Sequence, residues 1–204
     1  MNCIHSPLFS LINQTKAKPC SDKRQFGRVT NSQVKRVLWD SVSVKMKMAD
    51  GIVLEREGSM LQVKSCGVII FRRTPELSFL LMKHSHRYDL PKGHMEPGET
   101  ELETALREMW EETGIPRDAV KMDPDFRYEE RYFPVEPRFG TERVEKTLVM
   151  FLGWISQNFP IAVTEHAGYE WKRWHPPHDI QRFTINPLLS ALLVHFETHT
   201  LPND

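Results

Sequence analysis

Apolar positions change their rhythm repeatedly along the chain. Residues 52 to 64 alternate loosely, with Ile52, Leu54, Met60, Leu61 and Val63 set around Gly58-Ser59, and predict a short hairpin leading into a core. Ser65 to Arg72 then carries Val68, Ile69, Ile70 and Phe71 in one run and predicts a strand. Thr74-Pro75-Glu76 marks a turn and Ser78 to Lys83 a second strand. Arg87 to Gly98 contains two prolines and two glycines and predicts a loop.

From Thr100 the period becomes helical. Leu102, Ala105, Leu106 and Met109 recur at i, i+3, i+4 and i+7, so a buried stripe is expected on a helix from about Thr100 to Thr113. Thr100 with Glu103 makes a capping box, Gly114 suits the position after the helix, and Pro116 forbids continuation. Phe126 to Phe133 and Thr147 to Ile155 predict a pair of strands joined by a polar loop, and Tyr169 to Trp174 a further strand. Pro177 to Arg182 is expected to form a helical turn. Asn186-Pro187 opens a last helix with Leu188, Leu192 and His195 or Phe196 inward. Strands interleaved with two helices predict an α/β fold, a mixed sheet covered on both faces.

A length of 204 residues suits one domain with extensions, here divided as a leader over 1–50 and a domain over 51–204. No apolar run is long enough to span a bilayer, so no membrane partner is expected. Cys3, Cys20 and Cys66 are odd in number and have no metal-like spacing, which favours a reducing, cytoplasmic setting. The formal net charge of zero hides an asymmetry: residues 1–48 balance at +7 and the remainder at −7. Such a leader is expected to be disordered, with translation truly starting at Met46 or Met48. Organelle import and a nucleic-acid-touching arm are the alternatives.

The predicted helix also carries chemistry. Glu111 and Glu112 fall within roughly 60° on either side of Glu108, so three carboxylates share one helix face. Such faces are usually solvated surface. Crowded carboxylates repel, however, and a divalent cation reverses that repulsion; hard oxygen ligands suit Mg²⁺ or Mn²⁺.

These carboxylates stand in a longer pattern: Gly93, Glu99, Arg107, Glu108, Met109, Glu111, Glu112, Gly114 and Ile115. The pattern resembles the Nudix box at every specified position, a match whose chance frequency is on the order of 10⁻⁷. The resemblance implies an α/β/α sandwich with a central mixed sheet and a Mg²⁺-dependent hydrolase of nucleoside diphosphate linkages. Around the box, LPKGHMEPGETELETALRE, SCGVIIFRR, FRYEERYF, EKTLVMFLGWI and TEHAGYEW resemble the asymmetric diadenosine tetraphosphate hydrolases over about residues 65 to 197.

That second resemblance implies a small-molecule dinucleoside polyphosphate as substrate, cleaved to ATP and AMP. The Nudix-box resemblance implies metal ligation by Glu108, Glu111, Glu112 and the Lys92 carbonyl. Glu99 and Arg107 would brace the loop against the helix, with Glu99 reaching a metal through water. Glu108 and Glu165 are both candidates for the general base. Lys92, His94 and Lys146 match polyphosphate contacts, Tyr132 an adenine platform, and Tyr169 a second base platform. Against this, Tyr132 also suits ordinary strand packing, and Tyr169 and Trp171 suit a core. Other Nudix substrates remain open, namely a diphosphoinositol polyphosphate, an RNA 5′ end or a nucleotide sugar. So does a non-turning nucleotide sensor. The sequence does not decide between monomer and dimer.

Three features depart from the pattern. The loop from Pro134 to Glu145 is rich in Arg and Glu. His84 and His86 alternate and suggest solvated or phosphate-near groups, with no Cys or third ligand at zinc-like spacing. His175 to His178 reads as a turn.

Overall fold

The computed structural model describes residues 44–47, 53–57 and 60–200. Apart from Val44–Lys47, the stretch read as a leader lies outside the described residues, and so does the expected boundary at 50/51. The strands are β1 (Val44–Lys47), β2 (Val53–Glu57), β3 (Met60–Arg72), β4 (Ser78–Lys83), β5 (Tyr88–Asp89), β6 (Lys92–His94), β7 (Lys121–Tyr132), β8 (Val144–Ile155) and β9 (Gly168–Arg173). The helices are α1 (Glu101–Thr113) and α2 (Ile185–Thr198), with short 3-10 turns at Arg117–Ala119 and Pro137–Phe139.

The sheet is organised on β3. Its register with β8 is parallel and unbroken from Leu61↔Val144 to Arg72↔Ile155. Along its other edge it pairs antiparallel with β2, β6 and β4 in succession. The hairpin around Gly58-Ser59 is present, but its second arm runs on without a break into the core strand. Beyond β4 lie β5 and β9, and beyond β8 lies β7, all antiparallel. The sheet is therefore mixed.

Both faces of the sheet are covered, which explains the unbroken apolar runs. Cys66, Val68 and Ile70 of β3, Leu80 and Met82 of β4 and Val149 of β8 pack against Ala105 and Met109 of α1. Ile69, Phe71, Phe79, Leu81, Leu148, Met150, Leu152 and Trp154 face the other way and pack against Ile185, Leu188, Leu189 and Leu192 of α2. Odd and even positions of each strand separate cleanly between the two clusters, as the period of 2 requires. The result is the expected α/β/α sandwich.

Helix α1 begins as expected. The Thr100 hydroxyl accepts from the Glu103 N–H, and the Glu103 carboxylate accepts from the Thr100 N–H. Gly114 closes the helix at φ 72°, a left-handed conformation that glycine adopts without steric penalty. The buried stripe differs from expectation. Leu102 is 39% exposed, while Thr104, Glu112 and Thr113 are buried with Ala105 and Met109. The helix is thus rotated so that one edge of its carboxylate face enters the interior.

Three further expectations need correction. Arg87 to Gly98 is not all loop, since it contributes β5 and β6 to the sheet. Strand β7 starts five residues before Phe126, and its register shifts between Met122 and Arg127. Pro124 lies in that shift and has no N–H to give the ladder. Residues 177 to 182 make bends, not a helical turn. Asn186 organises them, its Oδ1 accepting from the N–H groups of Ile180 and Gln181.

One close approach fixes the edge of the future site. Gly67 of β3 faces Lys92 of β6, and a Cβ there would lie 2.2 Å from the Pro91 oxygen and 2.5 Å from the Lys92 Cβ. The Gly67→Ala variant should therefore lose about 1–3 kcal/mol of stability by forcing β6 away from β3. Urea unfolding compared with wild type measures this.

Candidate active site

The peptide that opens the site is short and tightly held. Strand β6 carries Lys92, Gly93 and His94 along β3, and the Pro91 oxygen accepts from the Val68 N–H at 3.1 Å. Gly93 lies beneath α1, where an added Cβ would come within 2.0 Å of the Glu108 carboxyl carbon. A glycine here is what lets the first carboxylate of the helix lie on the strand. The Lys92 N–H donates to Glu112 Oε2 at 3.0 Å, so the buried end of the carboxylate face is also tied to β6.

Arg107 joins loop to helix. Its Nε and a terminal nitrogen donate to the two oxygens of Glu99 at 2.6 and 2.9 Å. The same guanidinium reaches the His94 carbonyl at 3.0 Å, Glu108 at 2.7 Å and Glu111 at 3.2 Å. This fork holds the Glu99 carboxyl down at about 2, helped by the Thr104 hydroxyl and the Glu96 N–H and opposed by burial. Glu99 is bonded at both oxygens and lies outside the lining of the cavity, so the geometry supports a brace more than a metal ligand.

The cavity is about 590 Å³. Glu108, Glu111, Glu112 and Glu165 line it together with Lys92, His94, Arg107 and Lys146. Glu165 arrives from a segment sewn to the end of α1: the Ala162 N–H donates to the Thr113 oxygen, and the Thr164 hydroxyl to the Glu111 oxygen. Lys146 donates to Glu136 at 2.6 Å, and His94 Nε2 lies 4.0 Å from the same carboxylate. Two expected phosphate contacts thus converge on one acidic side chain of the Pro134–Glu145 loop.

Burial sets the charge of the carboxylate face. It lifts the Glu112 carboxyl to about 8, against the pull of the Lys92 N–H and ammonium. It raises Glu108 as well, with Arg107 opposing and Glu111 and Glu165 adding repulsion. A proton or a cation is what such a group lacks. The all-oxygen donor set of Glu108, Glu111, Glu112 and the Lys92 carbonyl fits a hard divalent ion.

Tyr132 and Tyr169 do not line this cavity. Tyr132 faces Lys146 across β7 and β8 and packs half-buried on the α2-side core. Tyr169 is 42% exposed on β9 and is not a core residue, whereas Trp171 packs against the α1-side core under Arg72.

Sequence reasoning missed Asp89. It is buried beside Leu90, accepts from the Leu90 N–H and Lys92 Nζ, each at 2.8 Å, and from Arg87 at 3.0 Å. Burial alone would raise its carboxyl, but Lys92, Leu90 and Arg87 hold it below the usual carboxylate range. His84 and His166 also line the cavity, and with Asp89 they bring three ligand atoms within 4.8 Å of one another. The third ligand that local spacing did not offer is supplied by the fold.

The profile of the NUDIX domain matches residues 61–196. The chain belongs to the NUDIX family. It is 36% identical over 123 residues to the mouse asymmetrical bis(5'-nucleosyl)-tetraphosphatase, covering 54% of this chain and 79% of the relative. The pig enzyme of the same name is 35% identical over 124 residues, with the same two shares. A Caenorhabditis elegans Ap4A hydrolase binary complex has a TM-score of 0.57 at 24% identity, covering 67% of this chain and 99% of that one, and supports the fold. This NUDIX chain is a pyrophosphohydrolase. No helix among the described residues is long and apolar enough to cross a membrane.

The buried Glu112 makes a pH prediction. Its folded pKa lies above its unfolded one, so its contribution to stability is fully present below about pH 4.5 and is lost as pH rises through about 8. In chelator, Glu112→Gln should gain stability on wild type across that window and match its offset at lower pH. Denaturant titrations from about pH 4 to 9 decide it; an offset that never changes with pH contradicts the assignment.

Proposed function

We propose that this chain hydrolyses dinucleoside polyphosphates and cleaves diadenosine tetraphosphate asymmetrically to ATP and AMP. The observation that carries the reading is the composition of the cavity. Seven carboxylates, Glu108, Glu111, Glu112 and Glu165 among them, and a cluster of basic groups (Arg87, Lys92, His94, Arg107, Lys146) share one cleft of about 590 Å³. A polyanion alone would be repelled by the first set, and a cation alone by the second. A polyphosphate with its divalent ions satisfies both. Likeness to tetraphosphatases over 79% of their length favours two nucleosides on that chain.

Glu108, Glu111, Glu112 and the Lys92 carbonyl would hold Mg²⁺, with Mn²⁺ as a substitute. The ion supplies neutralisation of phosphate charge and a more acidic bound water. Arg107 and Glu99 keep the helix and loop in register, so these ligands are positioned before substrate arrives. Lys92 and Lys146 ammoniums and His94 bind phosphate oxygens. Glu165, exposed at the cavity and bonded to none of the described side chains at hydrogen-bond distance, takes the proton from the attacking water. Glu108 is less suited, because it already accepts from Arg107 at 2.7 Å. Tyr132, on the strand register beside Lys146, would stack one base, and Tyr169 would offer a second aromatic surface.

A relative named RNA pyrophosphohydrolase, from Erythrobacter litoralis, is 27% identical over 138 residues and keeps a triphosphorylated RNA end as the second reading.

The test is product analysis on diadenosine tetraphosphate, with and without Mg²⁺. Equal ATP and AMP formed only with the metal is the expected result. No turnover by folded protein with Mg²⁺ present moves the reading to RNA ends or diphosphoinositol polyphosphates. Glu112→Gln should lower kcat at least about 100-fold with the fold intact. Tyr132→Ala should raise KM more than it lowers kcat, and an unchanged KM removes Tyr132 from the site.

A further inference from the structure

We propose that His84, Asp89 and His166 form a second cation site in the cleft, with two nitrogen donors and one oxygen, suited to Zn²⁺ and related borderline ions. The three ligand atoms lie within 4.8 Å of one another. His84 Nε2 is 3.3 Å from Asp89 Oδ2, close to the roughly 3.4 Å edge of a tetrahedron with Zn bonds of about 2.1 Å. The two imidazole rings stand 4.6 Å apart.

The backbone holds the three donors. His84 follows β4 directly, and β4 pairs with β5 at Met82↔Asp89 and with β9 at Lys83↔Gly168. The His84 N–H donates to the Arg87 oxygen at 2.9 Å, and the Ala167 N–H donates to the Lys83 oxygen at 2.7 Å. Each ligand is therefore within one residue of a backbone bond to the same strand. Closing the site needs side-chain rotation, not movement of the sheet.

The remaining bonds of Asp89 fit a ligating carboxylate. Oδ1 accepts from Leu90 and Lys92, the kind of outer contact that orients a metal ligand. Oδ2 is shared between His84 and Arg87, whose side chain is 55% exposed and free to swing outward. The charges of Lys92 and Arg87 weaken attraction for a dication, so binding is modest for a three-ligand site. Independently, His166 Nδ1 is buried with no hydrogen-bond partner, an orphan polar atom in the same cleft.

The donor chemistry separates this site from the carboxylates of α1. Imidazole suits Zn²⁺, Cu²⁺, Ni²⁺ and Fe²⁺, whereas all-oxygen sets suit Mg²⁺ and Mn²⁺. One cleft can thus sort two kinds of ion. The site rests on geometry alone and is independent of the substrate reading.

Equilibrium dialysis of the full chain against ZnCl2 in excess MgCl2, followed by metal analysis, tests it. Wild type should retain one Zn²⁺ equivalent that His84→Asn and His166→Asn each remove, with melting temperatures unchanged. Glu112→Gln should keep that equivalent. Co²⁺ should give visible d–d absorption in wild type that disappears in His84→Asn. His84 is partly exposed, so its variant stays informative if His166→Asn fails to fold. Retention of the same zinc by both folded histidine variants, or none by wild type, overturns the site.

Discussion

The Arg107 guanidinium is the contact on which the active cleft depends. Glu99 of the loop and Glu108, Glu111 and Glu112 of the helix lie close together, and their repulsion would open the loop from the helix. Arg107 is placed among three of them and also holds the His94 carbonyl. Its five donors in a planar fork make this possible, and a lysine ammonium could not serve the same partners at once. The loop, the strand β6 and the helix α1 are thereby one unit. Removing the charge of Arg107 would release the loop and β6 from the helix.

Most of the frame was readable in the chain. The strands at 65–72 and 78–83 stand out because burial on both faces leaves their middle positions apolar and their polar residues at the ends. The helix at 101–113 carries its own start and stop signals in Thr100, Glu103 and Gly114. The box residues were readable because their spacing is set by local contacts: Gly93 under Glu108, and Glu99 against Arg107. What was not readable depends on tertiary placement. Leu102 has the right period for a core stripe, yet α1 is rotated so that Glu112 goes inward in its place. The buried position of Asp89 depends on β5 and β6 adding to the sheet from a segment rich in proline and glycine. The conjunction of His84 with His166 depends on β9 pairing with β4. The Pro134–Glu145 loop reads as merely polar, while its Glu136 reaches Lys146 inside the cleft.

The cleft divides its donors by hardness as well as by charge. Carboxylates reach it from α1 and the segment after β8; imidazoles reach it from the end of β4 and the approach to β9. Lys92 stands between them, its N–H on Glu112 and its ammonium on Asp89. One residue therefore connects both halves, and a change at either would be felt through it.

The parallel pairing of β3 with β8 also sets the order in which the molecule can be made. Its partners are separated by about 83 residues, as Gln62 and Glu145 illustrate. On a ribosome the central strand must therefore wait, with its apolar faces unmatched, until β8 has emerged. Contacts so distant in sequence slow folding and expose sticky intermediates to neighbours. The pair that gives the sheet its centre is also the step at which nascent chains would most need a chaperone.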